Sequence, residues 1–471
     1  MEDYRDVPAG TRNATNVSPS YAAPETTSET EAAPRPALGR LDAIAVIVGI
    51  VVGAGIFRTP SLVAANTESG LMFIGVWLLG GLVSLIGALC YAELTTTFPN
   101  AGGDYHFLTR AFGRKPAFLF AWARMSVIQT GSIALLSFII GDYLAQIFSI
   151  GELSSVLYAA LVVIVLTGIN IMGVSMGAGT QKLLTALEIL GILIVIAAGL
   201  IFVPDAAVAS PATPHTGTTS MGLAMVFVLL TFGGWNEAAY ISAELRSGRK
   251  GMASVMILSI VIITAIYVLI NLAYLNVLGM GGMASSDAVA GDLVRVVFGE
   301  GGLVLIGLIV ALAALTSANA TIFTGARTNY ALGRDVPFFS FLGKWNEKTS
   351  SPVNAFLVQG AISLALVGLG YLTRNGFETI VEYTAPVFWF FLLLVGVSLF
   401  VLRRKEPDRP RPFSVPLYPI TPFIFCLTSA YLLYSSLMYT GLGALVGVAV
   451  LFIGVLLLLA LPGLNKRVSN K

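Results

Sequence analysis

The sequence predicts an all-α polytopic membrane protein of about twelve transmembrane helices, and three observations predict it. Hydrophobic residues make up 56% of the 471 and charged residues only 11%, against roughly 25% charged in a soluble globular chain. The apolar residues fall into long runs, most of them at or above the ~20 residues that cross a hydrocarbon core. Two of those runs are interrupted by glycines, at Gly53-Ala54-Gly55 and at Gly233-Gly234. In hydrocarbon every backbone N–H and C=O must be paired internally, so a helix breaks only where protein or a polar cavity surrounds the break.

The expected spans are 41–64, 71–95, 116–147, 155–173, 180–203, 220–245, 252–279, 301–328, 353–373, 377–402, 416–439 and 442–461. Residues 1–39, rich in Ala, Pro, Thr, Ser and Glu, have too little to bury and are expected to form a disordered tail. They lack the layout of a cleavable signal peptide, so the first span is itself the targeting element. Residues 462–471 form a second tail. Of the 27 Lys and Arg, all but Arg58, Arg295, Arg374 and the intramembrane Arg124 fall on the side of the two tails. That bias puts both termini in the cytoplasm and the chain in the cytoplasmic (plasma) membrane. The acceptor motifs at Asn13 and Asn16 then never meet the glycosylation machinery.

The net charge of +2 implies neither nucleic acid nor any acidic partner. Cys90 and Cys426 fall within spans and imply no disulfide framework. There is no metal-ligand spacing and no phosphate-cradling loop, His106 and His215 lie in loops, and no cofactor or metal is expected.

Spans one to five (40–203) and six to ten (220–402) contain equal, odd numbers of helices. The second set therefore enters the membrane from the opposite side, which makes an inverted repeat. The glycine breaks occupy matching places in the first helix of each set, and paired interruptions of this kind point to a transporter's binding site. The last two spans (416–461) lie outside the repeat and suit packing or dimer contact; the oligomeric state is left open. After a break, the new half-helix begins with unpaired N–H groups and a positive dipole end, which suits a carboxylate. The half before it ends in unpaired carbonyls, which suit an ammonium. By position, the backbone at Gly53, Ala54 and Gly55 would hold a carboxylate, and the carbonyls of Val51, Phe232 and Gly233 an α-amino group. The alternative is that the glycines serve close helix packing.

Gly49-Ile50-Val51-Val52-Gly53-Ala54-Gly55-Ile56-Phe57 resembles the first-helix motif of the amino acid–polyamine–organocation superfamily, particularly its L-type amino acid transporter and bacterial serine-threonine exchanger branch. Tyr91-Ala92-Glu93-Leu94 with Pro99 to Tyr105 is similar to the signature after helix two. Phe232-Gly233-Gly234-Trp235-Asn236 is similar to the sixth-helix break. Ile322 to Arg327 and Ser351 to Ala355 resemble the end of helix eight and the start of helix nine. The matches run in order across residues 40–412. The resemblance implies a leucine-transporter-like fold of five plus five inverted helices, two of them discontinuous, and the same backbone contacts to substrate. It also implies that an aromatic after the second break, Trp235, covers the substrate; packing or interface anchoring is the other reading. Asn236 stands where some relatives carry an acid, and the acid of this chain, Glu237, is one residue later, about 100° around a helix.

Intramembrane ionisable groups are expensive and functional by default. Glu188 aligns with a fifth-helix position where the resemblance leads one to expect lysine. It would take a proton or cation beside Thr316 or Ser317, or else be held by Arg124 or hydrogen-bond donors. Arg124 would reach the cytoplasmic face or pair with Glu237, Glu244 or Glu93, in a gating or charge-network role together with Glu237. Glu382 is expected near the outer end of span ten, and Arg403-Arg404-Lys405 as a topology anchor.

The leading function is a secondary active transporter, permease or exchanger, for amino acids of neutral type, working by alternating access within the lipid bilayer. A cationic amino acid or polyamine transporter is the alternative. A channel is disfavoured because no carbonyl-filter repeat or charged ring appears. A non-transporting amino acid receptor would have the same site, and no paired catalytic groups suggest an enzyme. The resemblance implies a cysteine between helices three and four for a disulfide-linked heavy chain. The loop 149–155 has none, so no such partner is expected.

Overall fold

A computed structural model describes residues 38–460, except 58, 152, 203–220, 247, 287, 300, 374–375 and 441. The described chain is all-helical. The spans are α1 (Arg40–Val51) continued by α2 (Thr59–Ala65), α3 (Gly70–Thr97), α5 (Arg114–Ala123) continued by α6 (Gln129–Ile147), α7 (Ser154–Ile171) and α8 (Val174–Ile201). They continue with α9 (Met221–Thr231) and α10 (Ala238–Ile241), α11 (Gly248–Ala284), α13 (Gly302–Asp335), α14 (Val353–Thr373), α15 (Gly376–Lys405), α16 (Ile420–Thr440) and α17 (Leu442–Ala460). Two short helices that the apolar pattern does not reveal, α4 (Asp104–Phe112) and α12 (Val289–Phe298), lie between spans. Their alternating polar residues hide them from a search for apolar runs.

Among the described residues, nine helices are long and apolar enough to cross a membrane, with Val353–Gly368 and Ala449–Ala460 as shorter apolar helices. The first span is missing from the nine because its break leaves pieces of 12 and 7 residues. Sequence signals set several ends. Ser69 caps α3 by accepting from the Met72 N–H at 3.3 Å. Arg403-Arg404-Lys405 closes α15, where cations suit the negative end of the helix dipole.

The core divides in two. A smaller buried cluster joins α6, α7, α13 and α14 through Ile133, Val163, Ile322 and Phe356. A larger one joins the two broken helices to α3 and α11 through Val48, Trp77, Phe232 and Tyr267. Helix α1 packs against α8, α11 and α13, so the first break lies where these two sets of helices meet.

One expectation needs correction. Leu38, assigned to the disordered tail, is buried and pairs in a parallel bridge with Leu245. Its N–H donates to the Glu244 carbonyl at 2.9 Å, and its carbonyl accepts from Arg246 at 2.9 Å. The chain before α1 is thereby tied to the end of the second broken helix. The acceptor motifs near the N-terminus, His215, the Glu382 side chain and the C-terminal tail lie outside the described residues.

Candidate functional site

The first break follows from three missing bonds. In a continuous helix the carbonyls of Gly49, Ile50 and Val51 would accept from Gly53, Ala54 and Gly55. Instead Val52 leaves helical geometry and the Gly53 N–H turns back to Val51 at 2.8 Å. A 3₁₀ turn then runs over Ala54–Phe57. Hydroxyls from other helices fill the vacated places. Ser317 on α13 donates to Gly49 at 2.9 Å and lies 3.3 Å from the Ile50 carbonyl. The Tyr267 hydroxyl on α11 lies 2.6 Å from the Val51 carbonyl. A Cβ on Gly53 would stand 2.7 Å from Ser317 Oγ, so the glycine is what admits that hydroxyl.

The second break is a turn at Phe232–Gly234, followed by a 3₁₀ turn over Trp235–Glu237. Gly234 has φ of +110°, a region that favours glycine. A Cβ there would come within 2.5 Å of Ile50 Cγ2, so the two breaks touch. Tyr267 joins them, for its hydroxyl also lies 3.0 Å from the Thr231 carbonyl, which the turn has freed. One hydroxyl oxygen therefore serves both broken helices. Sequence reading missed Tyr267; its signal is a tyrosine with Asn271 four residues on, along one face of an apolar span.

The remaining expected residues are placed as follows. Asn236 is buried beside the turn. The Val51 carbonyl, expected to meet an ammonium, already accepts from Tyr267 and Gly53, which fill its two lone-pair positions. The Gly53 N–H is likewise engaged, which leaves Ala54 and Gly55 as the more available donors. The Trp235 ring packs edge-on to Tyr91 at 5.2 Å and beside Phe425 at 6.1 Å, in space that Gly87 leaves open. It is wedged between α3 and α16. The adjoining cavity, lined by Ser84, Asn236, Phe388 and Ser429, is about 30 Å³, room for one water.

Charges around the two breaks are arranged differently. Beside the second, Arg124 pairs with Glu237 at 2.5 Å, and both are buried. The guanidinium also lies 4.0 Å from the centre of the Tyr240 ring. Arg124 opens a π turn, Arg124–Ile128, which joins α5 to α6; such turns often mark functional positions. The other acids offered as its partners are taken. Glu244 forms a two-point pair with the fully buried Arg327 at 2.6 and 2.9 Å. Glu93 holds Arg403 at 2.5 Å and Arg411 at 3.3 Å.

Asp104, which the sequence reading passed over, is buried at the start of α4, in the link between the second and third spans. Burial pushes its carboxyl up to about 7, opposed by Arg124 and reinforced by Glu237. The hydroxyls of Tyr91 and Tyr240 face it, yet neither hydroxyl nor Asp104 Oδ1 has a partner at hydrogen-bond geometry.

Beside the first break the polar groups are neutral, with one exception. Helix α8 presents Gln181, Thr185 and Glu188 on one face, the spacing that aligns side chains along a helix. Thr185 donates to the Ala45 carbonyl at 3.0 Å, and Gln181 accepts from Asn319 at 2.7 Å. Glu188 lies beside Thr316, whereas Ser317 is turned to the α1 carbonyls. Arg124, the partner considered for Glu188, is held at the other break.

Two helices broken at touching glycine turns, inside a polytopic apolar bundle, define the class as a membrane permease. The amino acid permease family matches residues 38–461, and the chain belongs to that family. It is 32% identical over 408 residues to b(0,+)-type amino acid transporter 1 of Mus musculus, covering 84% of this chain and 81% of that one. It is 30% identical over 415 residues to the cystine/glutamate transporter of Homo sapiens, covering 86% and 81%. It is also 30% identical over 477 residues to large neutral amino acids transporter small subunit 2 of Mus musculus, covering 95% and 87%.

Proposed function

We propose that this chain is a secondary transporter carrying neutral amino acids across the cytoplasmic membrane by alternating access, both termini lying inside. The zwitterion binds where the two breaks touch. The observation that carries this reading is the Tyr267 hydroxyl, within hydrogen-bonding distance of a freed carbonyl from each broken helix. At such a meeting the N–H groups of Ala54 and Gly55 receive the carboxylate, and the carbonyls of Phe232 and Gly233 receive the ammonium. Asn236 borders the same turn.

The pairing of Glu237 with Arg124 supports neutral cargo. That acid is neutralised within the protein and is not free to receive a cationic side chain. Alternating access then needs the breaks to move against α13, and the ties at that end, Leu38 with Leu245 and Glu244 with Arg327, open with them. The sequence has no cysteine in the loop 149–155, so the chain works without a disulfide-linked subunit.

The test is counterflow in liposomes holding the purified chain alone, with radiolabelled alanine, serine, leucine, arginine and putrescine. Saturable counterflow of one or more neutral amino acids is the expected result. Inhibition by putrescine or arginine alone would overturn the neutral assignment. Binding without counterflow would make the protein a receptor, conductance without saturation a channel, and silence until a second subunit is added would end the claim of self-sufficiency.

A further inference from the structure

We propose that Glu188 is a proton-binding site beside the first break, and that a proton taken up there crosses with the amino acid. The inference rests on the transport reading above for its cargo, and on separate observations for the site.

Glu188 is 0% exposed, and neither carboxyl oxygen has a hydrogen-bond partner. Its neighbours have spent their protons elsewhere. The Thr316 hydroxyl beside it donates to the Leu312 carbonyl at 2.8 Å. Tyr267, whose ring also lies near it, donates to the carbonyls of the two breaks.

No counter-charge reaches it from the helices packed on α8. On α1 and α8, Asp42 and Lys182 pair with each other at 2.8 Å. On α11, Arg249 and Lys250 stand in the first turn, more than four turns before Tyr267, and the titratable groups further along are Tyr267 and Tyr274. On α12, Asp292 and Arg295 pair at 3.2 Å. On α13, Arg327 belongs to Glu244, and Arg334 and Asp335 lie at the far end. Helix α7 carries no charged residue.

An isolated ionised carboxylate in such a place costs several kcal/mol even after relaxation. A proton removes that charge at once. The new O–H then has an acceptor beside it in the oxygen of Thr316, which has a lone pair to spare. A metal cation would instead need several free oxygens. Of those nearby, Gly49 accepts from Ser317, Val51 from Gly53 and Leu312 from Thr316.

Tyr267 makes the site part of the machine, because it is the group that spans both breaks. With the carboxyl protonated, Tyr267 has a neutral neighbour and donates to Val51 or Thr231. With the proton gone, the nearby carboxylate charge pulls on that hydroxyl's proton and weakens its hold on the carbonyls. Only an O–H bond forms and breaks. The proton comes from water on one side and leaves to water on the other.

The test uses the full chain in liposomes and two readouts. In the first, an acid-outside gradient is imposed and uptake of radiolabelled alanine, serine and leucine is followed. The wild type should respond several-fold, and Glu188→Gln should show a ratio near one while its counterflow persists. In the second, infrared difference spectra between acid and neutral buffer should show a buried carboxyl C=O band that Glu188→Gln removes. Glu188→Asp, which keeps the acid, should retain gradient-driven uptake with a displaced pH midpoint, and this guards against misfolding of the Gln variant. Equal gradient ratios in wild type and Glu188→Gln, or a carboxyl band unchanged by that substitution, would overturn the proposal. If no amino acid moves in any protein, the transport reading fails, and the infrared band alone decides whether Glu188 holds a proton.

Discussion

The two breaks are built alike in backbone and oppositely in charge. Each ends a half-helix at a glycine-bearing turn, and each has a freed carbonyl served by Tyr267. The second is braced by a buried ion pair, Arg124 with Glu237, and by aromatic rings on either side of Trp235. The first is braced by hydroxyls and amides, and its single acid has no partner. A carboxylate fixed by an arginine holds one charge state and one position. A carboxyl without a partner is free to change both. The second break is therefore suited to hold shape, and the first to respond.

The sharpest way to break this comparison is to neutralise one acid at each site. Glu237→Gln strands Arg124 in a buried setting and should lower stability by roughly 3–5 kcal/mol. Glu188→Gln strands nothing and should leave stability equal or higher. Thermal unfolding of both variants in detergent gives the answer; equal losses would erase the distinction. A smaller effect concerns pH. The native fold holds the Asp104 proton up to about 7, against an ordinary value of 3.8. The folded state thus binds more protons than the unfolded chain between those limits, and stability should fall as pH rises through that window. The slope is at most about 1.4 kcal/mol per pH unit, and Asp104→Asn should flatten it in melting curves taken from pH 5 to 8. The smallest effect is at the shared group. Tyr267→Phe removes one hydroxyl from two carbonyls and should cost about 1 kcal/mol, with a larger loss in uptake rate. A variant that transports normally would show that the two breaks need no common donor.

Much of this architecture is legible in the sequence because bilayer physics leaves few choices. Apolar runs of the right length reveal the spans, and glycines in hydrocarbon reveal the breaks. What the sequence hides is which polar groups meet. Arg124 had three candidate acids, and only packing selects Glu237, since Glu244 faces Arg327 and Glu93 lies against the basic end of α15. Tyr267 and Asp104 went unnoticed because a tyrosine in a span and an acid at a loop end are ordinary features until their neighbours are known. Leu38 looked like part of a tail because a two-bond bridge leaves no pattern in composition.

Tyr267 has a consequence for the empty protein. One hydroxyl hydrogen faces two carbonyl oxygens, so at any instant one of them goes short of it. The junction is left one donor short. On the proposed binding mode, an ammonium at the adjacent Phe232 and Gly233 would bring further donors to it, and occupancy would steady both halves together.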